Sequence, residues 1–175
     1  MNISLFRSGL FAALLLASSS IGFAADKPSD AQIAHIAYTA GAIDVKAAEQ
    51  ALTISKNEAV RDFATNMVKD HTAVNDQALA LVKKLGVTPE DNDISKGLAK
   101  NAEAKLAELS KLSGADFDKA YVANEVAYHK AVDSALADTL IPSSSNAELK
   151  ALLETGLKIF QGHEMHAEHV AMSLK

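Results

Sequence analysis

The sequence predicts an all-α protein, a four-helix bundle with an extra short helix in its long connection. Three observations predict it. Ala, Leu, Lys and Glu are abundant, tryptophan is absent and aromatics make up 5% of the chain, a composition that favours helix. No stretch of useful length alternates apolar and polar residues as a half-buried strand would. Turn and cap residues divide the chain after residue 24 into four long segments of helical periodicity and one shorter one.

Residues 1–24 are expected to be a signal peptide. Arg7 gives a weakly positive start, Leu10 to Ala17 make a short apolar run, and Gly22-Phe23-Ala24 places small side chains at −3 and −1 of a cut after Ala24. The apolar run is well below the ~20 residues needed to span a bilayer. The single helical-bundle domain is then 25–175, periplasmic or secreted, with no stable membrane insertion after cleavage. Cysteine is absent, so disulfides, thiolate ligands and lipid attachment at the cleavage site are all excluded. The net charge of −5 becomes one unit more negative once Arg7 leaves. The charges are dispersed without a basic patch, which disfavours nucleic acid and anionic membrane surfaces as partners.

The first helix is expected from Asp30 to Ser55, with Ser29 and Gln32 forming a capping box. Asn57 caps the second, with Glu58 in its first turn. It ends at Leu85, where Gly86 suits a left-handed C′ position and Pro89 follows. Asp93 starts a shorter helix that runs to Ser113-Gly114. Asp116 opens the next long helix, which Pro142 terminates. Ser145 with Glu148 reads as a second capping box, opening a last helix that runs nearly to Lys175. The connection from Gly86 to Ala115 is long enough for the crossover of ferritin-like bundles.

A helix turns 100° per residue, so each apolar stripe locates a buried face. On the second helix the stripe passes through Val60, Phe63, Ala64, Met67, Val74, Ala78 and Val82, with His71 near its centre. On the last helix it passes through Leu149, Leu153, Phe160 and Ala167, with His163 inside it, His166 on its flank and His169 mostly outward. The helix opened by Asp116 carries Phe117, Tyr121, Tyr128, Val132 and Leu136, with Glu125 and His129 on the same face. The first helix carries Ile33, Ile36, Ala40, Ala47 and Ala51, with Asp44 among them.

The rise per residue sets the depth of each. Asp44 and His71 fall about 18 and about 21 Å from their shared turn. Glu125 and His163 each fall about 17 residues from the turn at Pro142 to Asn146. Asp44, His71, Glu125, His129 and His163 are therefore expected to converge midway down the bundle. Burying several ionisable groups is costly unless each finds a partner. A metal ion held by imidazoles and carboxylates is one solution. A metal-free network of His–carboxylate hydrogen bonds is the other.

Several stretches resemble a known family. Phe63-Ala64-Thr65-Asn66-Met67-Val68-Lys69-Asp70-His71 is similar to the F-A-x-x-M-x-x-D-H signature of exported bacterial proteins grouped as domain of unknown function 4142. Gly41-Ala42-Ile43-Asp44-Val45 resembles its G-x-x-E-V segment with Asp for Glu. Phe117-Asp118-Lys119-Ala120-Tyr121, followed by His129, resembles its F-D-x-x-Y…H stretch. His163-Glu164-Met165-His166-Ala167 resembles its closing H-L-x-x-A, with Lys158 where the family has proline. The likeness covers nearly all of the chain after the leader. It implies a ferritin-like four-helix bundle in the periplasm or outer envelope, and by analogy a metal site at the recurring histidines. It implies no activity.

The residues set limits on that site. A carboxylate di-iron centre needs Glu-x-x-His on two helices, and the chain has no Glu-x-x-His. A Gly-x-Ser-x-Gly elbow, a Gly-rich phosphate loop and Cys-x-x-Cys-His are also absent, so nothing points to an enzyme. Met67 reads as core packing, and Tyr121 and Tyr128 as packed rings whose hydroxyls bond a neighbour. His166 and His169 read as solvated or partly packed. The functional expectation is an exported bundle binding a divalent or copper ion, with iron, copper or zinc the candidate cofactors. The alternative is a non-catalytic envelope stress or interaction protein whose partner is another protein or a second copy, with the inner polar residues serving the fold.

Overall fold

The computed structural model describes residues 27–174, so the expected signal peptide at 1–24 lies outside the described residues. The elements are α1 (Asp30–Ile54), α2 (Glu58–Leu85), α3 (Asp93–Leu109), α4 (Gly114–Ala135), a π-helical segment (Leu136–Leu140), the single turn α5 (Ile141–Ser143) and α6 (Ala147–Ser173). The all-α bundle expected from the sequence is what forms. Among the described residues no helix is long and apolar enough to cross a membrane.

Local chemistry sets most boundaries as expected. The Gln32 amide N–H donates to Ser29 Oγ at 3.2 Å, and the Ser29 N–H donates to Gln32 Oε1 at 3.0 Å. Asn57 Oδ1 accepts from the Val60 N–H. Gly86 ends α2 at φ +64°, a left-handed conformation that a Cβ disfavours.

Four boundaries differ. Helix α3 stops at Leu109, before Ser113-Gly114, because the chain tightens there. Ser110 Oγ donates to the Ala107 carbonyl, and the N–H groups of Lys111 and Leu112 reach back only three residues. Helix α4 opens at Gly114, two residues ahead of Asp116, with Ser113 in the cap position. Pro142 does not end the third long helix but sits inside its last turn. Proline lacks an N–H and crowds the carbonyl four residues back. The widened π register just before it, with the Ile141 N–H donating to the Leu136 carbonyl, accommodates the ring.

The fourth difference is the cap of α6. It is Asn146, whose Oδ1 accepts from the N–H groups of Glu148 and Leu149, and not Ser145. Ser145 is held elsewhere, its N–H donating to Asp30 Oδ1 at 2.8 Å. Asn146→Ala should therefore cost about 1 kcal/mol in urea unfolding, and Ser145→Ala less than about 0.5 kcal/mol. Equal losses would contradict this assignment of the cap.

Contacts at the two ends define the topology. Asp30, at the start of α1, also accepts from the Asn146 N–H before α6. Ser55, just past the end of α1, donates to Asp118 near the start of α4. Helices α1 and α6 thus run one way and α2 and α4 the other. Helix α3 climbs back beside α1, with Asn92 Nδ2 donating to the Gln32 carbonyl and Gln50 Nε2 to the Leu106 carbonyl. Two antiparallel pairs joined by one long crossover are the ferritin-like arrangement.

The core is in two parts. Near the α1 C-terminus lie Ala51, Phe63, Met67, Phe117, Tyr121 and Val170. Near its N-terminus lie Ile33, Ile36, Leu140, Leu149, Leu153 and Phe160. Asp44, His71, Glu125, His129 and His163 are buried between the two, while buried Ser55 and Asp118 pair at one end of the bundle.

Candidate metal centre

Each of the five side chains expected at mid-bundle is buried there. Asp44, His71, Glu125 and His129 are 1–2% exposed and His163 is 6% exposed. Four helices supply them: Asp44 from α1, His71 from α2, Glu125 and His129 from α4, His163 from α6.

The three imidazoles converge. His71, His129 and His163 each offer a ring nitrogen within 4.8 Å of the other two. His163 Nδ1 lies 3.2 Å from His71 Nε2. The rings of His71 and His129 meet edge to face, as do those of His129 and His163. Phe160 stacks on His71 at 4.5 Å between centroids and fixes its plane. Asp44, Glu125 and His129 form a second convergent set within 4.8 Å.

Bonded acceptors stand behind His129 and His163, and a carboxyl group stands near His71. His129 Nδ1 lies 2.9 Å from the Glu125 carbonyl, one turn back on α4. Only an N–H can bond there, so the ring carries its proton on Nδ1 and Nε2 keeps a lone pair. His129 Nε2 is buried without a hydrogen-bond partner. His163 Nε2 donates to Asp70 Oδ2 at 3.1 Å, leaving its Nδ1 as the acceptor. His71 Nδ1 faces Asp44 Oδ2 at 3.6 Å. This is the outer-shell pattern that orients metal-binding imidazoles.

Burial dominates the electrostatics. It pushes His71 down to about 2, with the neighbouring His163 and His129 adding to the effect. It takes His129 down to about 4. His163 is also lowered by burial, partly opposed by Asp70. Burial lifts Glu125 to about 8 and raises Asp44 well above its ordinary value, with the Glu125 carboxyl adding to the rise. Without a cation the site therefore favours neutral imidazoles and neutral acids. Both Glu125 oxygens and His71 Nδ1 lack hydrogen-bond partners, a concentration of unsatisfied groups that native interiors avoid.

These shifts set the pH dependence of the ion-free protein. The fold favours the protonated form of Glu125 and Asp44, so their contribution is present at low pH and is lost as pH rises from 4.5 through about 8. The fold favours neutral His71 and His129, so theirs is present above 6.5 and is lost as pH falls. Between about 4.5 and 6.5 the two sets offset each other, and above 6.5 only the acids act. In chelator, urea unfolding should show a plateau of stability that ends near pH 6.5 and a decline above it. The alkaline loss should be at most about 1.4 kcal/mol per pH unit for each acid. Stability rising steadily from pH 6.5 to 8.5 would contradict this reading.

Sequence reasoning missed Asp70 and Asp133. Asp70 lies on the flank of α2 beside the His71 stripe and reaches His163 across the α2–α6 seam. It is legible only as the residue preceding His71. Asp133 continues the four-residue spacing of Glu125 and His129, and both its oxygens are buried and unpartnered. Burial and the nearby Glu164 carboxyl raise it to about 6. Tyr128 packs as expected and donates to the Ala40 carbonyl at 3.2 Å. Tyr121 departs from expectation: it is fully buried, but its hydroxyl finds no partner. Met67 is core, His166 lies edge-on to Phe63, and His169 is exposed.

The family model for domain of unknown function DUF4142 matches residues 17–170. The chain belongs to that family. Comparison with curated proteins and with solved structures found no match. The match spans all four helices that supply the buried cluster, so this DUF4142 domain and the candidate centre are one unit.

Proposed function

We propose that this protein is an exported, metal-binding helical bundle of the cell envelope. The observation that carries the reading is the set of lone pairs at mid-bundle. His129 Nε2 and His163 Nδ1 are left as lone pairs by the bonds at their other nitrogens. His71 Nε2 joins them once its Nδ1–H turns to Asp44. A divalent cation favours neutral imidazole and ionised carboxylate together. Asp44 and Glu125 supply two negative charges to balance it.

The ligands are His71, His129 and His163, with Glu125 as the carboxylate nearest to joining them and Asp44 orienting His71. Imidazole donors suit zinc, copper and iron. Three neutral imidazoles leave a coordination position free on a tetrahedral ion. The N-terminal signal-peptide pattern supports the location.

Metal analysis of residues 25–175, purified from medium supplemented with iron, copper, zinc and manganese, tests the proposal. About one ion per chain, removable by chelator with a fall in melting temperature, is expected. A metal-free protein whose melting is indifferent to all four ions would reject it.

A second reading rests on the same atoms with one proton moved. If Asp44 keeps its proton, Asp70, His163, His71 and Asp44 form a relay of donors and acceptors that needs no ion. The protein is then a non-catalytic envelope protein whose inner polar layer serves the fold. The same metal analysis separates the two readings.

A further inference from the structure

Next to the imidazole cluster, on the α1 N-terminal side, the bundle holds a cavity of about 300 Å³. Helices α1, α2, α4 and α6 wall it, and Ile94 and Leu98 of α3 border it. Phe160, which stacks on His71, also lines the cavity and links it to the cluster. No charged side chain lines the cavity, and its only polar side chains are Asn75, Tyr128 and Thr139. The Tyr128 hydroxyl is already bonded to the Ala40 carbonyl.

We propose that this cavity binds an uncharged hydrophobic small molecule of about a dozen carbon atoms. The size follows from volume, because about 150 Å³ of apolar cavity accommodates one benzene ring. Protein interiors pack closely, and a void of this volume left empty weakens a fold. The positions that could fill it carry small residues instead: Ala37, Ala40, Ala78 and Gly156. A Cβ on Gly156 would meet only ordinary contacts, 3.5 Å from Phe160 and 3.9 Å from Val74.

The lining also selects the chemistry. With no cationic or anionic group at the wall, an ionised headgroup would be buried unpaired, which is strongly unfavourable. A partner helix, ~10 Å across, is too wide for the space. Among the lining residues, exposed Ile94, Ala131, Ala135 and Thr139 mark the mouth, and Thr139 lies on the π-helical segment. A largely apolar pocket with few polar groups is the usual form of a small-molecule site. The inference stands on the cavity alone and is independent of metal binding.

The test uses residues 25–175 in chelator and the uncharged fluorophore 1-aminoanthracene as probe, with 1-decanol as competitor. Saturable binding of one probe per chain, reversed by 1-decanol, is expected. Ala37→Phe and Ala78→Phe each place a ring in the cavity and should weaken probe binding at least tenfold. Melting temperature should hold or rise in either variant that fills the space. Leu79→Phe, which adds the same ring at a position 44% exposed and outside the lining, should leave probe binding within twofold.

Absence of probe binding by the wild-type chain would overturn the proposal. So would unchanged affinity in a filled variant that keeps the wild-type helical signal. Dissociation of a wild-type dimer by either filling substitution, seen by light scattering, would assign the cavity to a contact between copies and also overturn it. If neither filled variant folds, the wild-type titration decides: a stoichiometry of one with competition by 1-decanol supports the site, and unsaturable binding refutes it.

Discussion

His71→Ala is expected to abolish stoichiometric metal and the thermal stabilisation that comes with it. An ion at 100 times its dissociation constant stabilises the folded state by about 2.7 kcal/mol. For a domain of this size that is roughly 5–10 °C in melting temperature. Removing His71 removes one of three converging nitrogens and also the ring on which Phe160 stacks. It further leaves His163 Nδ1 facing a void where His71 Nε2 stood. The ion-free variant should itself be less stable by about 2–4 kcal/mol, from lost packing and an orphaned polar atom.

Asp70→Asn separates a ligand from its support, because it keeps the shape of the group that accepts from His163 Nε2 and removes its charge. It should weaken metal binding by 10–100-fold while retaining some. Metal content equal to wild type in purified His71→Ala would sink the metal centre and leave the structural relay standing.

Phe63→Ala should have the largest effect on stability, about 3–5 kcal/mol by urea unfolding. Phe63 is fully buried, lies 6.2 Å from the Tyr121 ring and receives the edge of His166 at 5.2 Å. It belongs to the core part away from the cavity and does not line it. Two turns of helix, ~12 Å, separate it from His71. The folded fraction should therefore bind as much metal as wild type. Leu79→Ala, at a position 44% exposed, should change stability by less than about 0.5 kcal/mol. A Phe63→Ala variant that loses less than about 1 kcal/mol would contradict the close packing of Phe63 in this part of the core.

Much of the candidate site was legible in the sequence because helical geometry is regular. Counting residues from the turns puts Asp44 level with His71 and Glu125 level with His163, with His129 one turn along from Glu125, and all five are buried. Phase and rise suffice for that when helices are long and straight. What counting does not supply is a side chain just off the stripe that reaches across a seam. Asp70 is such a case, since its role depends on where α6 lies relative to α2. The misplaced cap at Ser145 has a similar cause. Ser145 and Asn146 are both good caps in isolation, and the Asp30 carboxylate from α1 decides between them by holding the Ser145 and Asn146 N–H groups.

The sequence by itself determined the helical class, the long connection ahead of α4 and the inward face of each long helix, because periodicity and caps are local properties of the chain. Only the tertiary structure decided that Pro142 is absorbed by a π-helical turn, that Tyr121 buries its hydroxyl unpaired, and that small residues on α1, α2 and α6 leave a cavity beside the imidazoles. Those outcomes depend on how closely the helices approach and what faces each side chain from another helix, which no single segment encodes.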